Sequence, residues 1–227
     1  MPSTAYKRFN DNAGDVDHLV DLYAPMVELY KDGSEDVPDY EVLFRSSVVL
    51  MVSHWEAYVE DICSEALEHL IRYTTDPGKL PKEIKKQVAD ELKKAKDEIE
   101  IWKLANDGWK TYVRGRMAAF KEARDRSFNT PRSENTADFI RRVLGIEDIR
   151  TAWAFDSKSS EQASRQLDAL VTIRGEIAHR GRLQQKLDAA FVTDHTAFLR
   201  KLVSKTGGKI NTHVKQVTGT ALFTKTG

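Results

Sequence analysis

Residues 45–62 read Arg-Ser-Ser-Val-Val-Leu-Met-Val-Ser-His-Trp-Glu-Ala-Tyr-Val-Glu-Asp-Ile. From Val48 to Val59 this stretch is apolar on nearly every side of a helical wheel, so a helix here is enclosed by protein. β-branched residues are dense over 30–80, as in a strand. The length of the stretch, from about Pro38 to Tyr73, and its 3.6-residue period favour helix instead. It reads as the buried spine of the fold, with Trp55 and Tyr58 in the core. Thr74-Thr-Asp-Pro-Gly ends it with turn chemistry. Within the spine Glu56 is the exception, since a carboxylate in so apolar a helix needs a partner. Arg174, His179 and Arg45 are the candidates. His54 reads as a satisfied interior histidine.

The flanks are helical too. Val16, Leu19, Val20, Tyr23, Val27 and Tyr30 recur at helical spacing over 15–31, and Pro25 kinks or splits that helix. Lys31 to Asp36 is a polar break. Beyond the spine, 81–105 reads as one long helix with Pro81 at its first position. Asn106-Asp-Gly bends it and 109–127 continues it. Phe128-Asn-Thr-Pro-Arg is a loop, in which Asn129 and Thr130 set the turn before Pro131. Ser133 caps a helix over 134–144 that Gly145 ends. Further helices span about 160–179, ended by Gly181, and about 194–205, with Gly207 past the end. The expectation is therefore all-α: one helical bundle over 1–205 with an inserted helical pair at about 75–127. A basic Thr/Gly/Lys tail follows over 206–227, disordered or in a weak hairpin through Ile210–Val217.

Composition narrows the class. The 227 residues hold 35 Lys+Arg and 35 Asp+Glu, with 41% hydrophobic and 31% charged residues, which excludes a wholly disordered or collagen-like chain. One cysteine, Cys63, forms no internal disulfide and suits a reducing cytoplasm. The start, MPSTAYKRFNDN, lacks the apolar segment of a secretory leader. Val48 to Val52 is far too short to span a bilayer, so no membrane role is expected. The zero net charge hides an asymmetry. Residues 1–78 carry 5 basic and 16 acidic side chains, and 79–227 carry 30 and 19. Two complementary halves or a basic face for a polyanion both fit. Lys82–Lys96 reads as a solvated helix face able to extend such a surface.

No HExxH, CxxC, phosphate-binding glycine loop or dinucleotide fingerprint occurs, so neither a metal nor a cofactor is expected. An enzyme would work with side chains alone. One constellation has a mechanism: Val171-Thr-Ile-Arg-Gly-Glu-Ile-Ala-His-Arg-Gly-Arg182, which holds the chain's only Arg-x4-His, Arg174 and His179. Leu167, Leu170, Ile173 and Ile177 give the helix its apolar side. His179 falls in its last turn, where the helix dipole favours imidazolium. Arg174, Arg180, Arg182 and Lys186 form a phosphate-binding patch within about four turns. Arginine and histidine without metal suit RNA cleavage by its own 2′-OH. Guanidinium matches the anionic phosphorane and imidazole moves the protons. Five residues of regular helix turn through about 500°, leaving the two side chains about 140° apart. Two copies across a two-fold axis would supply two of each around one groove.

With these residues in place, the chain resembles HEPN-domain proteins, and more narrowly the RiboL-PSP-HEPN group. The matching segments are 45–62, then Phe128-Asn-Thr-Pro-Arg-Ser-Glu-Asn with Leu144-Gly-Ile-Glu-Asp-Ile, then Leu167 to Gly181. The resemblance implies an α-helical domain whose ribonuclease members carry Arg-x4-His near the end of a late helix, with the site between two protomers. It implies a metal-independent endoribonuclease acting on tRNA or other RNA, often a toxin or anti-phage effector, with a possible antitoxin or regulatory partner. Arg174 would bind the scissile phosphate and His179 would be the acid and base. Gly175 stands where active members usually carry a polar residue, commonly Asn, and Glu176 is the group able to replace it. Gly181 stands where some HEPN toxins carry tyrosine, so regulation through that tyrosine does not carry over. Two other readings of the same residues stay open: an inactive RNA-binding dimer, and a protein-interaction module whose partner carries the chemistry.

Overall fold

The computed structural model describes residues 2–30, 39–115, 130–181 and 186–224. The helices are α1 (Thr4–Asp21), α2 (Tyr23–Leu29), α3 (Glu41–Tyr73), α4 (Lys82–Lys94), α5 (108–115), α6 (Ser133–Leu144), α7 (Ser160–Arg180) and α8 (Ala189–Thr218). Short 3-10 turns lie at Pro77–Lys79, Glu98–Leu104 and Ile149–Ala152. Among the described residues there is no strand, only an isolated bridge between Phe155 and Lys158. The chain is all-α.

Helix α3 runs for 33 residues, and α1, α6, α7 and α8 pack around it. Val48, Val52, Trp55, Val59 and Ile62 are fully buried. Two tryptophans fix the centre. Trp55 and Trp153 meet edge to face at 6.1 Å, a favoured geometry for aromatic pairs. The Trp55 indole donates to the Pro131 carbonyl at 3.3 Å, and the Trp153 indole donates to the Thr206 hydroxyl at 2.9 Å. The loop before α6, the turn before α7 and the middle of α8 are thereby tied to one point. Every buried polar atom in this knot has a partner, as burial demands.

The amino-terminal helix starts at Thr4, well before the expected residue 15. Ser3 Oγ accepts the Tyr6 N–H at 3.1 Å, and Glu65 of α3 accepts the Ala5 N–H at 2.6 Å. The buried residues Ala5, Phe9, Ala13 and Val16 keep helical spacing, but two alanines make a faint apolar signal. Pro25 acts as expected. It has no N–H for the Asp21 carbonyl, and the helix breaks at Leu22, between α1 and α2.

Three expectations need correction. The helix from Pro81 ends at Lys94 instead of reaching 105. Ala95 takes an extended backbone, and Asp97 accepts the Ile99 N–H at 2.9 Å to start a separate 3-10 turn. Ser133 does not cap α6 but is its first helical residue. The cap comes from α7, where Asp168 accepts the Ser133 N–H at 2.7 Å and its hydroxyl at 2.8 Å. Finally, the bundle does not stop at 205 and 206–218 is neither hairpin nor disordered tail, because α8 continues to Thr218. Thr206, Gly207, Ile210 and Val214 form its buried side. Gly207 is required by close packing here. A Cβ on it would lie 2.8 Å from the Tyr58 hydroxyl, which itself donates to the Val203 carbonyl at 3.0 Å. The loop at 128–129, the expected helix over 116–127 and the break over 31–36 lie outside the described residues, as does the last stretch of the tail.

If 206–218 is core, then Ile210→Ala should cost about 2–4 kcal/mol in urea denaturation. A loss below about 0.5 kcal/mol, the scale of surface substitutions, would mark the segment as peripheral.

Burial pushes the His195 and His213 imidazoles below their ordinary value, against hydrogen bonds to the Phe191 and Leu144 carbonyls that push them up. Burial lowers His54 and His69 as well. As pH falls below about 6.5, the unfolded chain then takes up more protons than the folded one, so stability present at neutral pH is lost. The midpoint of urea unfolding should drop between about pH 7 and 5. His213→Gln, which keeps a donor for Leu144, should flatten that drop. An unchanged slope would refute the assignment.

Candidate active site at the end of helix α7

The motif helix is well defined at both ends. Ser159 Oγ accepts the Gln162 N–H at 3.3 Å, and Gln162 accepts the Ser159 N–H at 2.7 Å. This is a reciprocal capping box. Leu167, Leu170 and Ile177 are buried. At the other end Gly181 sits at φ +71°, and its N–H bonds the Ile177 carbonyl. A left-handed residue here ends the helix one position after Arg180 and two after His179.

Helix α7 stays regular through Arg180, so Arg174 and His179 remain about 140° apart around its axis. They do not converge within one chain. Arg174 is half-buried, and its Nε is shut off from solvent with no hydrogen-bond partner. His179, Glu176, Arg180 and Lys186 are exposed. Arg182 lies outside the described residues. A buried donor without a protein partner is costly and uncommon; the His54 Nε2 and the Thr74 and Thr136 hydroxyls share this condition.

The outer candidates are placed differently. Arg45 donates to Glu41 at 3.1 Å and to Asp39 at 3.0 Å, at the start of α3. The other oxygen of Glu41 accepts the Leu187 N–H at 3.0 Å. Arg45 thus anchors the chain just after Lys186 through Glu41, not through Arg174 or His179. Lys186 lines a cavity of about 430 Å³ together with Tyr23, Tyr40, Glu41 and Phe44. Glu56 is half-buried on α3, and Arg45, one of its expected partners, is engaged elsewhere. His54 is half-buried too, but its Nε2 has no partner, so it is not the satisfied histidine expected. Among the described residues, no group of three or more His, Cys, Asp and Glu side chains is placed to hold a metal ion. No helix among them is long and apolar enough to cross a membrane.

One cluster was missed in the sequence. Arg132 lies across α7, its Nη2 donating to Thr172 Oγ1 at 2.9 Å and its Nη1 reaching the Asp168 carbonyl at 3.5 Å. Its signal was present in the Phe128–Asn135 segment, but a residue between Pro131 and a helix start reads as turn or cap.

An all-α bundle built on one enclosed helix, with Arg-x4-His in the last turns of a late helix, defines the HEPN class. The chain belongs to the RiboL-PSP-HEPN family, whose family model matches residues 11–212. The searches of curated proteins and of solved structures returned no match. HEPN domains are commonly ribonucleases, so the family supports a nuclease or RNA-related reading in coarse terms.

The turn that carries His179 should depend on Gly181. Gly181→Ala forces a Cβ into the left-handed region and should cost about 1 kcal/mol in chemical denaturation. No change would mean the end of α7 tolerates another backbone path.

Proposed function

We propose that the chain is a metal-independent endoribonuclease of the HEPN type. It would cut RNA, tRNA among the candidate substrates, as a homodimer whose site lies at the two-fold interface. The observation that carries this reading is the placement of Arg174 and His179. The first holds a buried, unpartnered guanidinium nitrogen and the second an exposed imidazole, on a helix too regular to let them meet. A second copy related by a two-fold axis supplies the missing members of each pair. In the reaction, one imidazole takes the proton from the 2′-OH. The 2′ oxygen bonds to the adjacent phosphorus and the bond to the 5′ oxygen breaks. The other histidine, as imidazolium, protonates that leaving oxygen. Arg174 would neutralise the phosphorane charge. The products are a 2′,3′-cyclic phosphate and a 5′-OH. The family resemblance supports a role in antiviral defence or toxin-like growth control with an antitoxin or regulatory partner, and the single cysteine supports a cytoplasmic setting.

One observation favours a second reading. Gly175 brings no polar group to the motif, and an added Cβ there would meet nothing within 4 Å. An inactive RNA-binding or protein-interaction module is the alternative it supports.

The test is cleavage of total RNA and tRNA in EDTA by wild type, Arg174→Ala and His179→Ala, with analysis of the 3′ ends. Wild type alone should cut and leave cyclic phosphate, with each variant slower by about 10²-fold or more. Cleavage surviving in both variants overturns the site. RNA bound but uncut by a folded wild type favours the inactive module.

A further inference from the structure

We infer that Arg132 is a phosphate-binding residue of the RNA path to His179; the inference rests on the nuclease reading above. Within one chain Arg174 is not the arginine that shares the histidine's side of α7. At 100° per residue, Asp168, Thr172, Gly175 and His179 fall within about 60° of one another, whereas Arg174 lies about 140° from His179. Arg132 comes from the residue before α6, yet its guanidinium rests on that histidine side, at Thr172 and the Asp168 carbonyl. The side therefore holds an arginine at one end and an exposed imidazole at the other. About 10 Å of helix separates Thr172 from His179.

Three features make this more than a structural arginine. First, its charge is not spent. Among the described residues Arg132 makes no ion pair, and its two hydrogen bonds go to neutral oxygens. The carboxylate on the same turn, Asp168, is already held by the Ser133 N–H and hydroxyl. Second, the guanidinium is oriented before any ligand arrives. Thr172 Oγ1 donates to the Asp168 carbonyl at 2.8 Å, which turns a lone pair towards Arg132. A planar guanidinium held this way keeps further donors for phosphate oxygens, at little entropic cost. Third, the path between the two ends is open. Gly175 lies between Thr172 and His179, and the space where its Cβ would be is empty. The polar side chain missing after Arg174 thus leaves room for the RNA backbone along α7. Arg132 would hold a phosphate beside the scissile one, acting in binding and not in proton transfer.

The test uses the full chain with His179→Ala, so that binding is read without cleavage. A labelled single-stranded RNA is titrated over a salt series. Arg132→Gln keeps a donor for Thr172 and removes the charge. It should weaken binding about tenfold, the weight of one hydrogen bond to a charged group. It should also lower the slope of log affinity against log salt by about 0.7. Arg132→Lys should keep the slope. A merely structural role would not move the slope, so an unchanged slope in folded Arg132→Gln overturns the inference. Cleavage is then compared with His179 restored. Wild type that cuts RNA while Arg132→Gln matches it in KM sinks this inference alone. Wild type that binds RNA with the Arg132-dependent slope but never cuts it sinks the nuclease reading alone. No RNA binding by any form sinks both.

Discussion

A helix whose centre is apolar on nearly every side must be surrounded there, and α3 imposes that constraint on everything else. Water has to be excluded from buried positions that recur from Phe44 to Ile71, a length of about 40 Å. No single neighbour can do this, so α1, α6, α7 and α8 each take a share of its surface. Burial of fully apolar positions such as Val48, Val52 and Ile62 supplies the main driving force. The polar groups caught in this core then dictate register. Each tryptophan indole has one N–H to satisfy, and the acceptors, Pro131 and Thr206, lie on different segments. Sliding α8 by one turn would strand the Trp153 N–H and drive Gly207 away from Tyr58. The core therefore specifies one arrangement of helices as well as a compact state.

The second organising contact is polar and lies nearer the motif. Asp168 takes the place of a local cap on α6, since Arg132 at the capping position offers no side-chain oxygen. The carboxylate lies near the positive end of the α6 dipole, where negative charge is favoured. The same turn of α7 receives Arg132 through a carbonyl and Thr172. One contact thus sets the start of α6 against the middle of α7. It is also what brings a basic side chain from a distant part of the chain onto the side of α7 that carries His179.

Much of this was legible in the sequence because the signals were local. The enclosed spine followed from a stretch, Val48 to Val59, that is apolar on nearly every side, and the ends of α6 and α7 from Gly145 and Gly181, both with positive φ. The motif was legible because Arg174 and His179 lie on one helix with a clear 3.6-residue period. What escaped was set by contacts distant in sequence. Gly207 reads as a stop by local rules, yet in the fold it is the residue small enough to pass Tyr58. The start of α1 escaped because Ala5 and Ala13 are weakly apolar and Glu65, which holds the helix end, is 60 residues away. Arg132 escaped for the same reason: nothing between Pro131 and Ser133 announces that the side chain turns onto α7.

Helix geometry also bears on how a site could be built here. Two side chains five residues apart on a straight helix point to different sides, and no rotamer closes an angle of about 140°. A single chain can answer this by bending the helix, by adding a side chain from elsewhere, or by meeting a second copy. The first is not taken, since α7 runs unbroken to Arg180. The second is partly taken, because Arg132 puts a cation beside the imidazole's side of the helix. The third is the proposed one, and it gives the two arginines separate work. Arg174, half-buried on another side of the helix, would meet the scissile phosphate only in the assembled site. Arg132, already oriented and still charged, needs no such cover to meet a phosphate. On that division the chain alone would bind RNA loosely along α7, and assembly would be what turns binding into cleavage.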